Sequence, residues 1–319
     1  MRSNILLITE LDDKEREEKD LIKEISDTNK VKVHNIIYDG AYNTATFIQF
    51  DVVVFFIKFK TLLSLASIDW GKYHGLRILY DHDTIQNFGT FFNNQMTGMW
   101  DREFQRHKFD SIIVTSQTAA LKFNENKIKA YWLPKSYDSK FFYDKHIERS
   151  GICTFGSLYR SRAKLIRELK NHRIAINFFK TSYSQLNAEL NKYQACLICN
   201  MPASVPFGKF GRAIERLSAG LITKPLPGYE VFFKNLEAAA AGCIQICDYN
   251  PDLEALGFHD GHNCITYNDF NELFQKLEKF NNYDLSKMRL ESINTALRHT
   301  NKVRASEFVD LCHTIHNKN

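Results

Sequence analysis

Three stretches of the sequence combine glycine with cationic side chains, a combination suited to binding anions. In 154–162, Gly156 and Ser157 follow an apolar run and precede a helical one. A glycine turn lets backbone N–H groups approach a phosphate closely, and the following helix start adds donors and a favourable dipole. Arg160 and Arg162 bring charge to that helix start; the alternative is a tight β–α turn carrying two solvated arginines. In 207–212, Lys209 and Arg212 sit on a second glycine-basic loop, which either closes over a bound molecule or is simply exposed. It lacks the Gly-Lys-Ser/Thr ending of a P-loop. In 234–242, Lys234 precedes Glu237, the single acid of an otherwise apolar, alanine-rich segment. An ionised carboxylate there accepts two hydrogen bonds at once, or is a glutamate placed by the helix dipole. Finally, Asp81-His82-Asp83 ends an apolar run. His82 or Asp83 could orient a hydroxyl or act as general base; alternatively an Asp caps the next helix beside a merely polar His82.

Positioning these groups requires a regular frame, and the apolar pattern supplies one. Short β-branched runs at 5–9, 31–38, 52–57, 77–80, 111–115 and 129–133 alternate with helical segments such as 13–25 and 117–124. Such alternation predicts βαβ units and a parallel sheet covered on both faces. After a polar, aperiodic stretch at 135–150 the pattern restarts. Strands are expected at 151–155, 174–179, 195–199 and 243–247, with helices at 161–171, 184–192 and 232–241. In the last of these helices Phe232, Phe233, Leu236, Ala239 and Ala240 form one apolar stripe, and Gly242 is the expected C-cap glycine. The stretch 200–229 is irregular and carries four of the six prolines. Helices at 285–299 and 302–316 close the chain. Two α/β halves are expected to leave a ligand cleft at the carboxyl ends of their sheets.

Length and composition agree. At 319 residues two domains are the natural expectation, and 44% hydrophobic with 25% charged residues is ordinary for a globular protein. Residues 5–8 are too short an apolar core for a signal peptide, and no run long enough to span a bilayer exists, so a cytoplasmic chain is expected. The net charge of +5 suits phosphorylated substrates or peripheral contact with an anionic membrane, and equally a chain merely rich in lysine and asparagine. No basic block interleaved with aromatics points to nucleic acid. Cys196-x-x-Cys199 and the pair Cys243 and Cys247 lie in apolar runs, where cysteine acts as a small hydrophobe rather than a metal ligand.

From about residue 150 onward the sequence resembles glycosyltransferases related to the spore-maturation protein CgeB, and more loosely the retaining GT-B enzymes of the GT4 type. Thr154–Arg162 resembles the family's F-x-G-S-x-x-x-x-R opening, and 234–242 resembles R-x-F-E-x-x-A-x-G. Asp248-Tyr249-Asn250-Pro251-Asp252-Leu253, then Phe258-His259-Asp260-Gly261 and Tyr267, resemble the strand and loop before F-x-x-G-x-x-x-x-x-Y. His299-Thr300 with Arg304-Ala305 resembles the closing H-T-Y-x-x-R-A. The first half shares only the architecture.

The resemblance implies an α/β GT-B fold: two Rossmann-like domains whose parallel sheets face a central cleft. The acceptor domain would span 1–135, a linker 136–150 and the nucleotide-sugar domain 151–300, with 301–319 crossing back to the first. It implies transfer of a hexosyl group from a UDP- or GDP-linked sugar to a glycan, lipid-linked or protein acceptor, retaining and without metal. One of the arginines Arg160 and Arg162 would contact the diphosphate, with Gly156 and Ser157 beneath it. Glu237 would accept from the ribose hydroxyls, and Lys209 and Arg212 would close over the donor. Lys234 stands where the family has arginine, keeping the charge without the bidentate fork. The GT4-type pattern spaces two glutamates eight apart, whereas Glu230 and Glu237 differ by seven. The first glutamate's contact with the sugar is therefore not carried over. His299 and Arg304 are expected at a structural hinge. Two alternatives stand beside this: a non-catalytic GT-B-like module binding glycans or partner proteins, or another GT-B enzyme such as a sugar-nucleotide epimerase.

Overall fold

The computed structural model describes residues 4–11, 16–28, 30–82, 100–156, 160–198 and 230–318. These form two compact units. The first takes the described residues up to Ser136 and from Asn301 onward, the second those from Tyr137 to Thr300.

In the first unit the strands are β1 (Ile5–Thr9), β2 (Val31–Asn35), β3 (Val52–Phe56), β4 (Leu76–Asp81), β5 (Ser111–Val114) and β6 (Ala130–Trp132). They form one sheet in the order β2-β1-β3-β4-β5-β6, with every pairing parallel. Side chains alternate between faces, so each central strand feeds two cores. Leu6, Ile8, Val53, Phe55 and Leu79 pack on one face with Phe47, Trp70 and Phe109. Ile5, Leu7, Val52, Val54, Phe56, Ile78 and Tyr80 pack on the other with residues of α1 (Arg16–Ser26) and of the closing helix (Asn301–Lys318). That closing helix therefore belongs to the first unit, anchored by Phe308 stacked on Tyr80. Three short α-helices, α2 (Phe59–Ser64), α3 (Trp100–Arg106) and α4 (Gln117–Glu125), and a 3-10 helix at Thr44–Gln49 complete the described part. α4 starts where Ser116 Oγ accepts from the Ala119 N–H, the expected N-cap device.

The second unit has β7 (Ile152–Phe155), β8 (Ile176–Phe179), β9 (Ala195–Ile198), β10 (Ile244–Asp248) and β11 (Cys264–Tyr267) in the order β11-β10-β9-β7-β8, again all parallel. Its helices are α5 (Arg160–Asn171), α6 (Tyr183–Leu190), α7 (Phe233–Ala240), α8 (Pro251–Ala255), α9 (Phe270–Glu278) and α10 (Leu285–Ala296); the closing helix is α11. Capping residues fix several starts: Asn250 with Pro251 at α8, Asp269 at α9, Asp284 at α10.

Both sheets reverse winding direction once, between β1 and β3 in the first unit and between β7 and β9 in the second. At such switch points the connections leave to opposite sides and open a crevice at the carboxyl ends of the strands.

Residues 137–150, polar and aperiodic in sequence, are packed into the second unit. Tyr137, Phe142 and Arg149 are buried there, Asn191 Nδ2 donates to the Tyr143 carbonyl, and the Lys145 N–H donates to Asn191 Oδ1. The side chains of Asn187 and Asn191 satisfy this irregular backbone, so no apolar period is needed. At the two passages between units, Ser136 Oγ donates to Asn301 Oδ1 within the first, and Tyr137 pairs with Thr300 within the second.

Candidate functional site

In the second unit the switch point is built from the end of β7. Phe155 runs directly into Gly156, whose φ of 91° lies in the left-handed region that favours glycine. The helix α5 begins at Arg160, four residues beyond Gly156, so its N-terminus follows closely on the carboxyl edge of the sheet. Arg160 and Arg162 occupy its first turn. Their side chains lie outside the described residues, as do Ser157, Lys209, Arg212 and Asp83.

Lys234 comes to this edge from α7. Its Nζ donates to the Phe155 carbonyl at 3.4 Å and lies 5.2 Å from the centre of the Phe155 ring. The structure thus brings together Gly156 and the ammonium of Lys234, 78 residues apart in the chain. The helix is held in register by Asn235, whose Oδ1 accepts from the Phe232 N–H while its Nδ2 donates to Gln245 Oε1 on β10 at 2.9 Å. Leu236 and the alanines 238–240 are buried, and their small size lets α7 lie close to the sheet.

Glu237 is only 3% exposed and sits one turn past the helix start. Dipole stabilisation acts in the first turn of a surface helix, so it does not account for a buried acid there. Glu230 is also buried, just ahead of α7, and its carbonyl accepts from Asn250 Nδ2 at the start of α8. Asp248 and Asp252 are buried on the same stretch. This concentration of buried acids was invisible in the sequence, because burial of 230 and 248 depends on how the β10–α8 turn folds back.

At the carboxyl end of β4, His82 is 8% exposed and its ring stacks on Phe56 with 4.6 Å between centroids. Burial first, then the positive charges of Lys135 and Lys58, push its pKa down to about 3. The imidazole is therefore neutral at physiological pH, a weak base suited to hydrogen bonding rather than to taking up a proton. Lys58, Lys135 and Thr9 around it were not singled out in the sequence; their signal was position directly at the carboxyl end of a strand.

His299 and Arg304, expected at a hinge, each bond within their own unit. The His299 carbonyl accepts from the Tyr137 N–H, and its Nε2 donates to the Leu256 carbonyl. Arg304 Nη2 donates to the Lys135 carbonyl and its guanidinium pairs with Glu307.

The six described cysteines are buried free thiols. Burial and bonds with Cys196 and Cys243 drive the Cys153 thiol pKa upward. Among the described residues no cluster of His, Cys, Asp and Glu could hold a metal ion, and no helix is long and apolar enough to cross a membrane.

Residues 160–310, which include α7 and Glu237, match the family described as "Glycosyl transferase-like". Among solved structures, Anabaena Alr3699/HepE in complex with UDP is similar over 98% of this chain and 100% of its own, with TM-score 0.61 at 9% identity. The sucrose-phosphate synthase of Thermosynechococcus elongatus matches over 100% of both chains with TM-score 0.59 at 10% identity. The chain has the GT-B fold of glycosyltransferases. The pneumococcal O-GlcNAc transferase GtfA, in complex with UDP and GlcNAc, shares this GT-B core over 83% of the chain, with TM-score 0.52 and 15% identity. The chain spans 56% of the length of GtfA. No curated protein matches in sequence.

Proposed function

We propose that this chain transfers a sugar from a UDP- or GDP-linked donor to a glycan, lipid-linked or protein acceptor, with retention and without a metal ion. One observation carries the proposal: the Lys234 ammonium lies at the carboxyl end of β7, where Gly156 and the start of α5 present backbone donors. A cation beside a glycine turn and a helix N-terminus suits a diphosphate leaving group, whose developing charge is the main electrostatic demand of the transition state.

Each remaining role follows from position. Glu237, buried on the same helix as Lys234, accepts from the two ribose hydroxyls. Arg160 or Arg162 adds charge at the start of α5, and Lys209 and Arg212 close over the donor. His82, neutral and at the carboxyl edge of the first sheet, orients the acceptor hydroxyl together with Asp83. Retention needs no enzymic base, since the leaving phosphate can take the acceptor proton. UDP in the structures of HepE and GtfA favours UDP as the first nucleotide to test. Catalysis takes place in the cytoplasm, with peripheral contact to the membrane when the acceptor is lipid-linked.

The test is calorimetry of the full chain with UDP, GDP and CDP and their sugars. A uridine or guanosine diphosphate should bind, and Lys234→Ala should weaken it by about 10- to 100-fold, the worth of one charge-assisted contact. Absence of any nucleotide binding would overturn the proposal, as would an affinity untouched by both Lys234→Ala and Glu237→Ala.

A further inference from the structure

Lys234 and Glu237 ride on α7, and the start of that helix is tied to β10 by buried side chains. The chain enters α7 from Glu230, whose carbonyl accepts from Asn250 Nδ2 at 2.9 Å, two residues past the end of β10. Phe232 caps the helix, its N–H donating at 3.1 Å to Oδ1 of Asn235, the third residue of α7. Asn235 Nδ2 in turn donates at 2.9 Å to Oε1 of Gln245, the second residue of β10. Asn235 and Gln245 are both 0% exposed.

This amide pair is out of keeping with its surroundings. Leu236 and the alanines 238–240 on α7, and Ile244, Ile246 and Cys247 on β10, are buried and apolar. A glutamine among them gives up its hydration for a single bond, since its Nε2 has no partner among the described residues. A half-satisfied buried amide lowers stability, whereas an apolar residue of the same shape would not. What the pair supplies is direction. Apolar contact is non-directional, so a helix of small residues held by it alone can turn or slide on the sheet. A hydrogen bond holds only within a narrow range of distance and angle. Asn235 stands next to Lys234 and two residues before Glu237, so fixing its amide fixes the rotation and height of both.

We infer that Asn235 and Gln245 are positioning residues for nucleotide binding. Acting through the start of α7, the pair sets where Lys234 and Glu237 stand, and it lowers stability in doing so. The inference rests on the glycosyltransferase reading and adds to it two residues that are themselves shielded from any ligand. A misplacement of about 1 Å in a binding constellation costs up to about 100-fold, so the pair has a large effect to exert.

The test uses the full chain and measures UDP affinity by calorimetry and stability by urea unfolding. Gln245→Met, close in shape to the glutamine, should weaken UDP at least about 5-fold. Asn235→Leu alone leaves both ends of the Gln245 amide unpaired and should lose stability as well as affinity. The double variant, Asn235→Leu with Gln245→Met, leaves no amide of the pair unsatisfied. It should regain stability over Asn235→Leu and still bind UDP at least about 5-fold more weakly than the parent. A merely structural pair cannot move stability and affinity apart in this way. If the double variant recovers affinity along with its stability, or if Gln245→Met binds UDP as the parent does, the inference is overturned. The parent chain reads the donor assignment separately: a parent that binds no nucleotide overturns both readings, whereas a parent and variants that bind alike overturn this one alone.

Discussion

The guanidinium of Arg149 donates to the carbonyl of Ala241 at 2.6 Å, passing over Gly242 where a side chain would stand. A Cβ at 242 would lie 2.9 Å from Arg149 Nη2 and 3.0 Å from Asp144 Cγ. The same guanidinium also binds Asp144 Oδ1, Asn191 Oδ1 and the Tyr193 carbonyl. One buried cation thus closes the C-terminal end of α7, satisfying a carbonyl that has no partner within the helix.

Gly242→Ala should therefore destabilise the second unit on two counts. Its φ of 83° costs a side chain about 1–2 kcal/mol, and the new methyl displaces Arg149. Arg149→Met, which leaves Asp144 without its buried partner, should cost about 3 kcal/mol. Urea unfolding followed by far-UV circular dichroism measures both; losses under about 0.5 kcal/mol would contradict the assigned role.

Lys234→Arg should retain most nucleotide affinity, because the charge at the end of β7 is kept, whereas Lys234→Met should lose it. Glu237→Gln should weaken nucleosides and nucleotides alike, since it acts on the ribose and not on the diphosphate. Affinities for uridine and UDP, compared in the two variants, separate these roles.

His82 makes the first unit acid-sensitive. Its pKa falls from 6.5 in the unfolded chain to about 3 in the folded one, so the unfolded state binds the proton first. Stability is complete above about pH 6.5 and declines as the pH falls from there toward about 3, by about 1.4 kcal/mol per unit for each such histidine. His107 is lowered in the same direction by burial and adds to the slope. In His82→Gln the dependence between pH 6 and 4 should flatten by that one increment; an unchanged slope would count against the buried, neutral ring.

Glu272 behaves oppositely. The ammonium of Lys276, bonded to it in the helix α9 pair, holds its pKa down to about 2. Its contribution is present above the unfolded value of 4.5 and is lost as pH falls toward about 2. Because both side chains are partly exposed, Lys276→Ala should cost less than ~1 kcal/mol, and added salt should shrink the effect.

Thiol reagents should leave Cys153, Cys196, Cys243, Cys247, Cys264 and Cys312 unmodified in the native protein. All six are buried, and burial pushes the Cys264 thiol up to about 12. Ellman's reagent should react with them only on unfolding.

Much of the frame was legible in the sequence. Doubly buried parallel strands are continuous apolar runs, and ten of the strands overlap runs visible at once. What escaped was short or polar. β11 is four residues, Cys-Ile-Thr-Tyr, too few to show a period. α2 and α3 are six and seven residues long and are held by long-range bonds rather than propensity, with Arg106 and His107 donating to carbonyls of Leu62 and Leu65. β2 stops at Asn35, short of the apolar Ile36 and Ile37, because the Asn35 side chain accepts from the Ile37 N–H and turns the chain.

The sequence by itself determined two successive α/β patterns, the glycine turn at Gly156, and a small-residue helix carrying Lys234 and Glu237. These are local: they follow from residue type, period and neighbours along the chain. Only the tertiary structure decided that Lys234 reaches Phe155, that Glu230 and Glu237 are both buried, and that Thr9 and His82 share one edge. Those outcomes depend on strand order and on which face each residue takes, and contacts between residues tens of positions apart leave no periodic trace. The same holds for Gly242. In the sequence it is a helix stop; in the fold it is the opening through which Arg149 reaches the helix end.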